Sequence, residues 1–122
     1  MAHTIRIPGL VCIEHELSVP LDHAQPEGEH IQVFARELRA PEPGAETRPF
    51  LVFLQGGPGF SSPRPDGAGG WIGRALTEFR VLLLDQRGTG RSTPLDADSL
   101  RRFETAQEQA AYMACFRMDL SA

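Results

Sequence analysis

Two solid apolar runs constrain this chain more than any other feature: FLVFL at residues 50–54 and VLLL at residues 81–84. Neither alternates. A strand with one face in water alternates apolar and polar residues. A strand covered on both faces carries a continuous apolar run, as in a parallel sheet flanked by helices. Each run ends in a glycine-rich loop, QGGPG at residues 55–59 and DQRGTGRS at residues 85–92. Between them Trp71, Ile72, Ala75, Leu76 and Phe79 recur at helical spacing, which predicts an amphipathic helix over residues 70–79. Strand, loop, helix and strand make a βαβ crossover, with the first glycine loop at the carboxyl end of its first strand.

The preceding residues follow another pattern. Val11, Ile13, His15, Leu17, Val19 and Leu21 alternate with mostly polar residues, predicting a half-buried strand. PLDHAQPEGEH at residues 20–30 has turn composition, and residues 31–38 form a second strand with Ile31, Val33 and Ala35 on one side. The two make an antiparallel hairpin with a long loop. A polar, proline-containing connection at residues 39–49 leads into the crossover. Downstream, Thr105 and Glu108 have the spacing of a capping box, and a further helix is expected to run to about Met118. No internal repeat is present.

Composition narrows the function classes. A chain of 122 residues, 41% hydrophobic and 23% charged, is long enough for one folded domain and is not of disordered type. Its net charge of −4 argues against nucleic acid and anionic membrane surfaces as partners. All 12 basic residues are arginine, so GTGRS cannot be a Walker A loop, which needs its lysine. No GxGxxG occurs. The two cysteines, Cys12 and Cys115, have neither CxxC nor metal-ligand spacing, so they are expected to be thiols in a reducing, cytoplasmic setting, with no metal site. The N-terminus lacks the pattern of a signal peptide, and no apolar run approaches the ~18 residues of a membrane span.

In open α/β sheets, ligands bind beyond the carboxyl ends of the parallel strands, where both glycine loops fall. Glycine has no Cβ to block a ligand and tolerates positive φ. Backbone N–H groups left unpaired there can face an oxygen that gains charge during a reaction. The alternative for the first loop is a plain strand-to-helix turn. In the second loop, Asp85, Arg87 and Ser92 are expected to brace the turn through local backbone bonds, with Arg87 pairing to Asp85, and direct substrate contact is the alternative. Gly88 and Gly90 are expected to serve backbone conformation.

The two motifs together, LVFLQGGPG and VLLLDQRGTGRS, resemble those of the proline iminopeptidases (prolyl aminopeptidases), serine peptidases of the α/β-hydrolase fold. The resemblance extends to VPLDH at residues 19–23 and AQEQAAY at residues 106–112, and so covers nearly the whole chain. The usual first motif is HGGPG; here Gln55 replaces the histidine. The second is a form of the DxxGxGxS loop common in that fold. The resemblance implies an α/β fold: the N-terminal portion of an α/β-hydrolase, an antiparallel hairpin followed by a β-loop-α-β unit and a further helix. It implies that the backbone N–H of Gly57 is one half of an oxyanion hole, with Gly56 the second choice. Gln55, Pro58 and Gly59 would line the pocket or shape the loop. Asp85, Gln86, Arg87, Gly88, Gly90 and Ser92 would form the supporting loop. A cis Gly57–Pro58 bond is expected to turn the chain there. The implied substrate is a peptide with an N-terminal proline, and no cofactor is implied.

The triad is missing from the expected pattern. No G-x-S-x-G elbow occurs, and in this fold the order Ser, then Asp or Glu, then His places all three beyond residue 122. Ser61 and Ser62 lie in no elbow. His3, His15, His23 and His30 all precede the crossover; His15 is expected to be packed and hydrogen-bonded, His23 and His30 solvated. Residues 1–122 are therefore expected to be a single incomplete domain, without nucleophile, acid, base or cap, and inactive alone. Two alternatives are a portion of another α/β-hydrolase, such as an epoxide hydrolase or esterase, and a non-catalytic chain. The non-catalytic chain would bind a complementary fragment at an exposed strand edge.

Overall fold

The computed structural model describes residues 2–56 and 59–116. Five strands form one sheet: β1 (Ala2–Ile7), β2 (Leu10–Pro20), β3 (His30–Arg39), β4 (Phe50–Leu54) and β5 (Arg80–Asp85), in the spatial order β1-β2-β3-β5-β4. β1, β2 and β3 are successive antiparallel neighbours, and β5 lies antiparallel to β3. β4 and β5 are parallel, with Leu51 opposite Val81 and Leu54 opposite Leu84, as the apolar runs predict. Besides a short 3-10 helix at Ala45–Thr47, the described residues form three α-helices: α1 (Gly70–Ala75) in the crossover between β4 and β5, then α2 (Ala97–Leu100) and α3 (Ala106–Ala114).

Four local features differ from the sequence-based expectation. β1 was not expected. It pairs with β2 through a two-residue turn at Pro8 and Gly9, and Gly9 takes φ 81°, open to glycine without strain. The α1 helix is shorter than residues 70–79. Thr77 N–H bonds Arg74 O at 3.4 Å and its hydroxyl donates to the same carbonyl at 2.8 Å, which tightens the chain into a turn. Asp96 and Ser99 make a reciprocal capping box that starts α2, an element the sequence reading lacked. At α3 only the Thr105 half of the expected box is made among the described residues, its oxygen accepting the Glu108 N–H at 3.1 Å. Met118, where that helix was expected to end, lies outside the described residues.

The two faces of the sheet are unlike. On one face Leu10 and Cys12 of β2, Leu38 of β3, and Val81 and Leu83 of β5 pack with Leu76, just past the end of α1, into a buried cluster. The opposite face, with Leu17, Val33, Ala35, Leu82 and Leu84, borders an open recess of about 460 Å³. The alternation predicted for β2 does not hold along the strand: Leu10, Cys12, Ile13 and Glu14 are all buried in its first half, and Glu16, Leu17 and Ser18 are all exposed in its second. Ile13 is thus on the expected core side and buried, whereas Leu17 on the same side is 62% exposed. Strand β4 is one edge of the sheet, the other being β1, and its Phe50, Leu51, Val52 and Leu54 are all exposed, so the cover on both faces expected of this apolar run is not formed among the described residues. A second cluster of Leu21, Ile31 and Tyr112 holds α3 against the β2–β3 end, with the Phe103 ring tilted against the Tyr112 ring and the Phe116 ring edge-on to it.

Candidate active site

Parallel pairing of β4 with β5 carries both glycine loops to one end of the sheet. The second loop turns at once. Thr89 N–H and its hydroxyl both reach Gln86 O, at 3.0 and 2.8 Å, and Ser92 N–H reaches Thr89 O at 3.0 Å. Gly88 and Gly90 take φ 86° and 53°, the left-handed conformations expected of them. Ser92 is 1% exposed; its hydroxyl donates to Asp85 O at 2.6 Å and accepts the Phe34 N–H at 2.9 Å, fastening the loop to β3.

Asp85 is 2% exposed, and its carboxylate spans the two loops. Oδ1 accepts the Ser62 N–H at 2.8 Å, and Oδ2 accepts the Arg91 N–H at 2.9 Å. Ser62, also buried, donates its hydroxyl to Leu84 O at 2.7 Å. The expected Arg87–Asp85 pair is not formed. The Arg87 guanidinium instead donates to Leu21 O and, at 3.4 Å, to Pro20 O, bracing the β2–β3 connection. Asp85 is already occupied by backbone donors, and Arg87 leaves the turn in the other direction. Its Nε is buried without a hydrogen-bond partner among the described residues.

In the first loop, Gln55 O accepts from Gln86 Nε2 at 3.4 Å, and Gly59 takes φ 105°. Open space surrounds the positions a Cβ would take at Gly56 and Gly59. Gly57 and Pro58, including the oxyanion donor proposed from the motif and the expected cis bond, lie outside the described residues. Beside the loops, Val33, Leu54, Leu84, Gln86, Arg87 and Phe116 line a recess of about 290 Å³.

His15 and His30 make their hydrogen bonds to groups outside the two glycine loops, although His30 starts β3 beside the connection that Arg87 braces. His15 Nε2 is 3.0 Å from Glu37 Oε1, and His30 Nδ1 is 3.0 Å from Gly28 O in the turn, where Asp22 Oδ1 also accepts the Ala24 N–H at 2.9 Å. Sequence reasoning missed a buried charge network. Glu14, on the covered face, accepts from Arg36 Nε at 3.3 Å and from Arg91 at 2.8 Å, so the second loop is also tied to β2. Burial pushes the Glu14 carboxyl up, but the two arginines outweigh it and hold the group below its ordinary value. Glu14 faces Arg36 directly across the β2–β3 ladder, a pairing legible only once the register is known. Among the described residues, no group of histidine, cysteine and acidic side chains could hold a metal ion, and no helix is long and apolar enough to cross a membrane.

Comparison with known proteins bears on these loops. No family model matches the chain. It is 52% identical over 114 residues to a proline iminopeptidase of Aeromonas sobria, a match covering 93% of this chain and 27% of that protein. This chain is homologous to the N-terminal part of the proline iminopeptidases. A proline iminopeptidase of Aspergillus aculeatus is 34% identical over 113 residues, covering 24% of its own length. The chain thus spans about a quarter of the length of these proline iminopeptidases. Its mixed sheet, with parallel β4 and β5 around α1, accords with the N-terminal portion of an α/β-hydrolase.

Proposed function

We propose that this chain is the N-terminal part of a serine aminopeptidase that releases proline from the N-terminus of peptides, and that it is inactive alone. One observation carries the reading. The two glycine loops, whose motifs resemble those of proline iminopeptidases, meet at the carboxyl ends of β4 and β5, joined through Asp85. In the assembled enzyme a serine from the polypeptide beyond residue 122 attacks the prolyl carbonyl. The Gly57 N–H, with Gly56 the second choice, and one donor next to that serine hold the oxyanion, while a histidine moves the proton. No metal or cofactor takes part. Gln55, Gly56, Pro58 and Gly59 line or shape the pocket, and Asp85, Gln86, Arg87, Gly88, Gly90 and Ser92 support it. Residues 1–122 form one incomplete domain, and the two free thiols, Cys12 and Cys115, suit a cytoplasmic setting.

The bare β4 edge and the apolar face beside it favour completion by a further chain segment through strand addition. The test joins this chain to the portion of the Aeromonas sobria relative that follows the match, and assays both forms with a proline–chromophore substrate. The joined protein is expected to release proline and the chain alone to show no turnover. Turnover by the chain alone, or an inactive but folded joined protein, overturns the reading.

A further inference from the structure

We propose that Asp85 is a positioning residue: its carboxylate clamps the glycine loop after β4 to the end of β5 and so sets the direction of that loop's backbone N–H groups. Its catalytic consequence rests on the peptidase reading above; the clamp itself does not. The loop is fixed at its two ends. Upstream, Leu54 is paired with Leu84 in the ladder, and Gln55 O accepts from Gln86. Downstream, the Ser62 N–H ends on Asp85 Oδ1 and the Ser62 hydroxyl on Leu84 O. Between these anchors nothing lies within 4 Å of the positions a Cβ would take at Gly56 and Gly59, so no neighbour supports the loop on that side of either residue. The other carboxylate oxygen is fixed by the Arg91 N–H. A Cβ at Gly90 would lie 2.3 Å from Oδ2 and 2.7 Å from the Ser61 Cβ, so glycine at that position is what leaves the carboxylate its place.

Both oxygens must be acceptors, because each faces a backbone N–H. Asparagine supplies one acceptor and one NH₂, which would confront a donor with a donor. Asp85→Asn is therefore expected to release one anchor while keeping the size of the side chain. Small displacements of groups that face a reacting atom cost about 100-fold in rate.

Amide hydrogen exchange on the 122-residue chain tests the clamp. Ser62 and Arg91 are expected to exchange slowly in the wild type, and at least one of them rapidly in Asp85→Asn, with the Leu82 and Leu83 amides of β5 unchanged. Rapid exchange at both positions in the wild type overturns the proposal, and so does slow exchange at both in the variant. Should that variant not fold, the wild-type rates stand as the test, and Gly90→Ala, which crowds the carboxylate without removing it, is expected to speed exchange at the same two amides. In the joined protein, Asp85→Asn is expected to lower kcat about 100-fold with KM little changed, which a loss of folded protein would not imitate once active sites are titrated. Unchanged kcat, or a rise in KM alone, defeats the catalytic consequence. An inactive wild-type joined protein counts against the peptidase reading and leaves the exchange result to decide the clamp.

Discussion

At the scale of single residues, the two thiols have unlike surroundings. Cys12 is 5% exposed within the cluster under the sheet, while Cys115 is half-buried near the end of α3 and donates to Ala111 O at 3.4 Å. Burial pushes the Cys12 thiol up, beyond what the neighbouring Arg36 charge draws down. Since the thiolate is the reactive form, Cys12 is both shielded and protonated at neutral pH. A chromogenic disulfide reagent is expected to label Cys115 quickly in the folded chain and Cys12 only after denaturant is added. Equal rates at the two positions in native buffer would contradict this packing.

At the scale of elements, α1 shows how one contact can reverse a propensity. Alanine ordinarily favours a helix over glycine by about 1 kcal/mol. At Gly73, however, a Cβ would stand 2.2 Å from Ala68 O, a backbone atom that cannot move aside without shifting the whole lead-in to the helix. Gly73→Ala is expected to destabilise the chain, by 1 kcal/mol or more, the order of an overpacked site. A denaturant midpoint that rises in this variant would refute it. The same scale shows why some elements were legible and others not. The apolar runs of β4 and β5 made their parallel pairing legible, though not the exposure of β4, and the helix between them follows from spacing. β1 has only Ile5 and Ile7 as apolar alternates near its end, and α2 spans four residues, too few to show a period. Both carried a local signal all the same, Pro8–Gly9 for one and Asp96–Ser99 for the other. The glycine loops could be read as motifs, but the role of Asp85 could not. Its partner Ser62 lies 23 positions away, and only the folded sheet brings the two together.

At the scale of the whole molecule, charge binds what the apolar core does not. Glu14 ties β2 to β3 and to the second loop, and Glu37, 3% exposed, pairs with His15, Arg39 and Arg80 on the other face. Burial raises the Glu37 carboxyl, yet Arg39, His15 and Arg80 together hold it below the ordinary value of 4.5, as the arginines do for Glu14. A carboxylate with a depressed folded-state pKa contributes its full stabilisation above the unfolded value and loses it as pH falls through the folded one. Stability is therefore expected to decline on acidification below about 4.5, where the unfolded chain takes up protons first. Glu14→Gln should cost stability at neutral pH, with the difference from wild type closing as the pH drops. A difference that stayed constant from pH 7 to pH 3 would mean that the ion pairs do not control it.

The position of β5 has a consequence for synthesis. Among the described strands, the last to be made is inserted between two made earlier, β3 and β4. A ribosome that has delivered residues 1–79 has exposed β1, β2 and β3, which pair among themselves in order, while β4 has no neighbour at all. Its apolar side chains must wait for residues 80–85. Because Asp85 is the final residue of that strand, the glycine loop is tied down only when the sheet is already closed around it. The glycine loop thus takes its place only after the strand that follows it in the chain has paired.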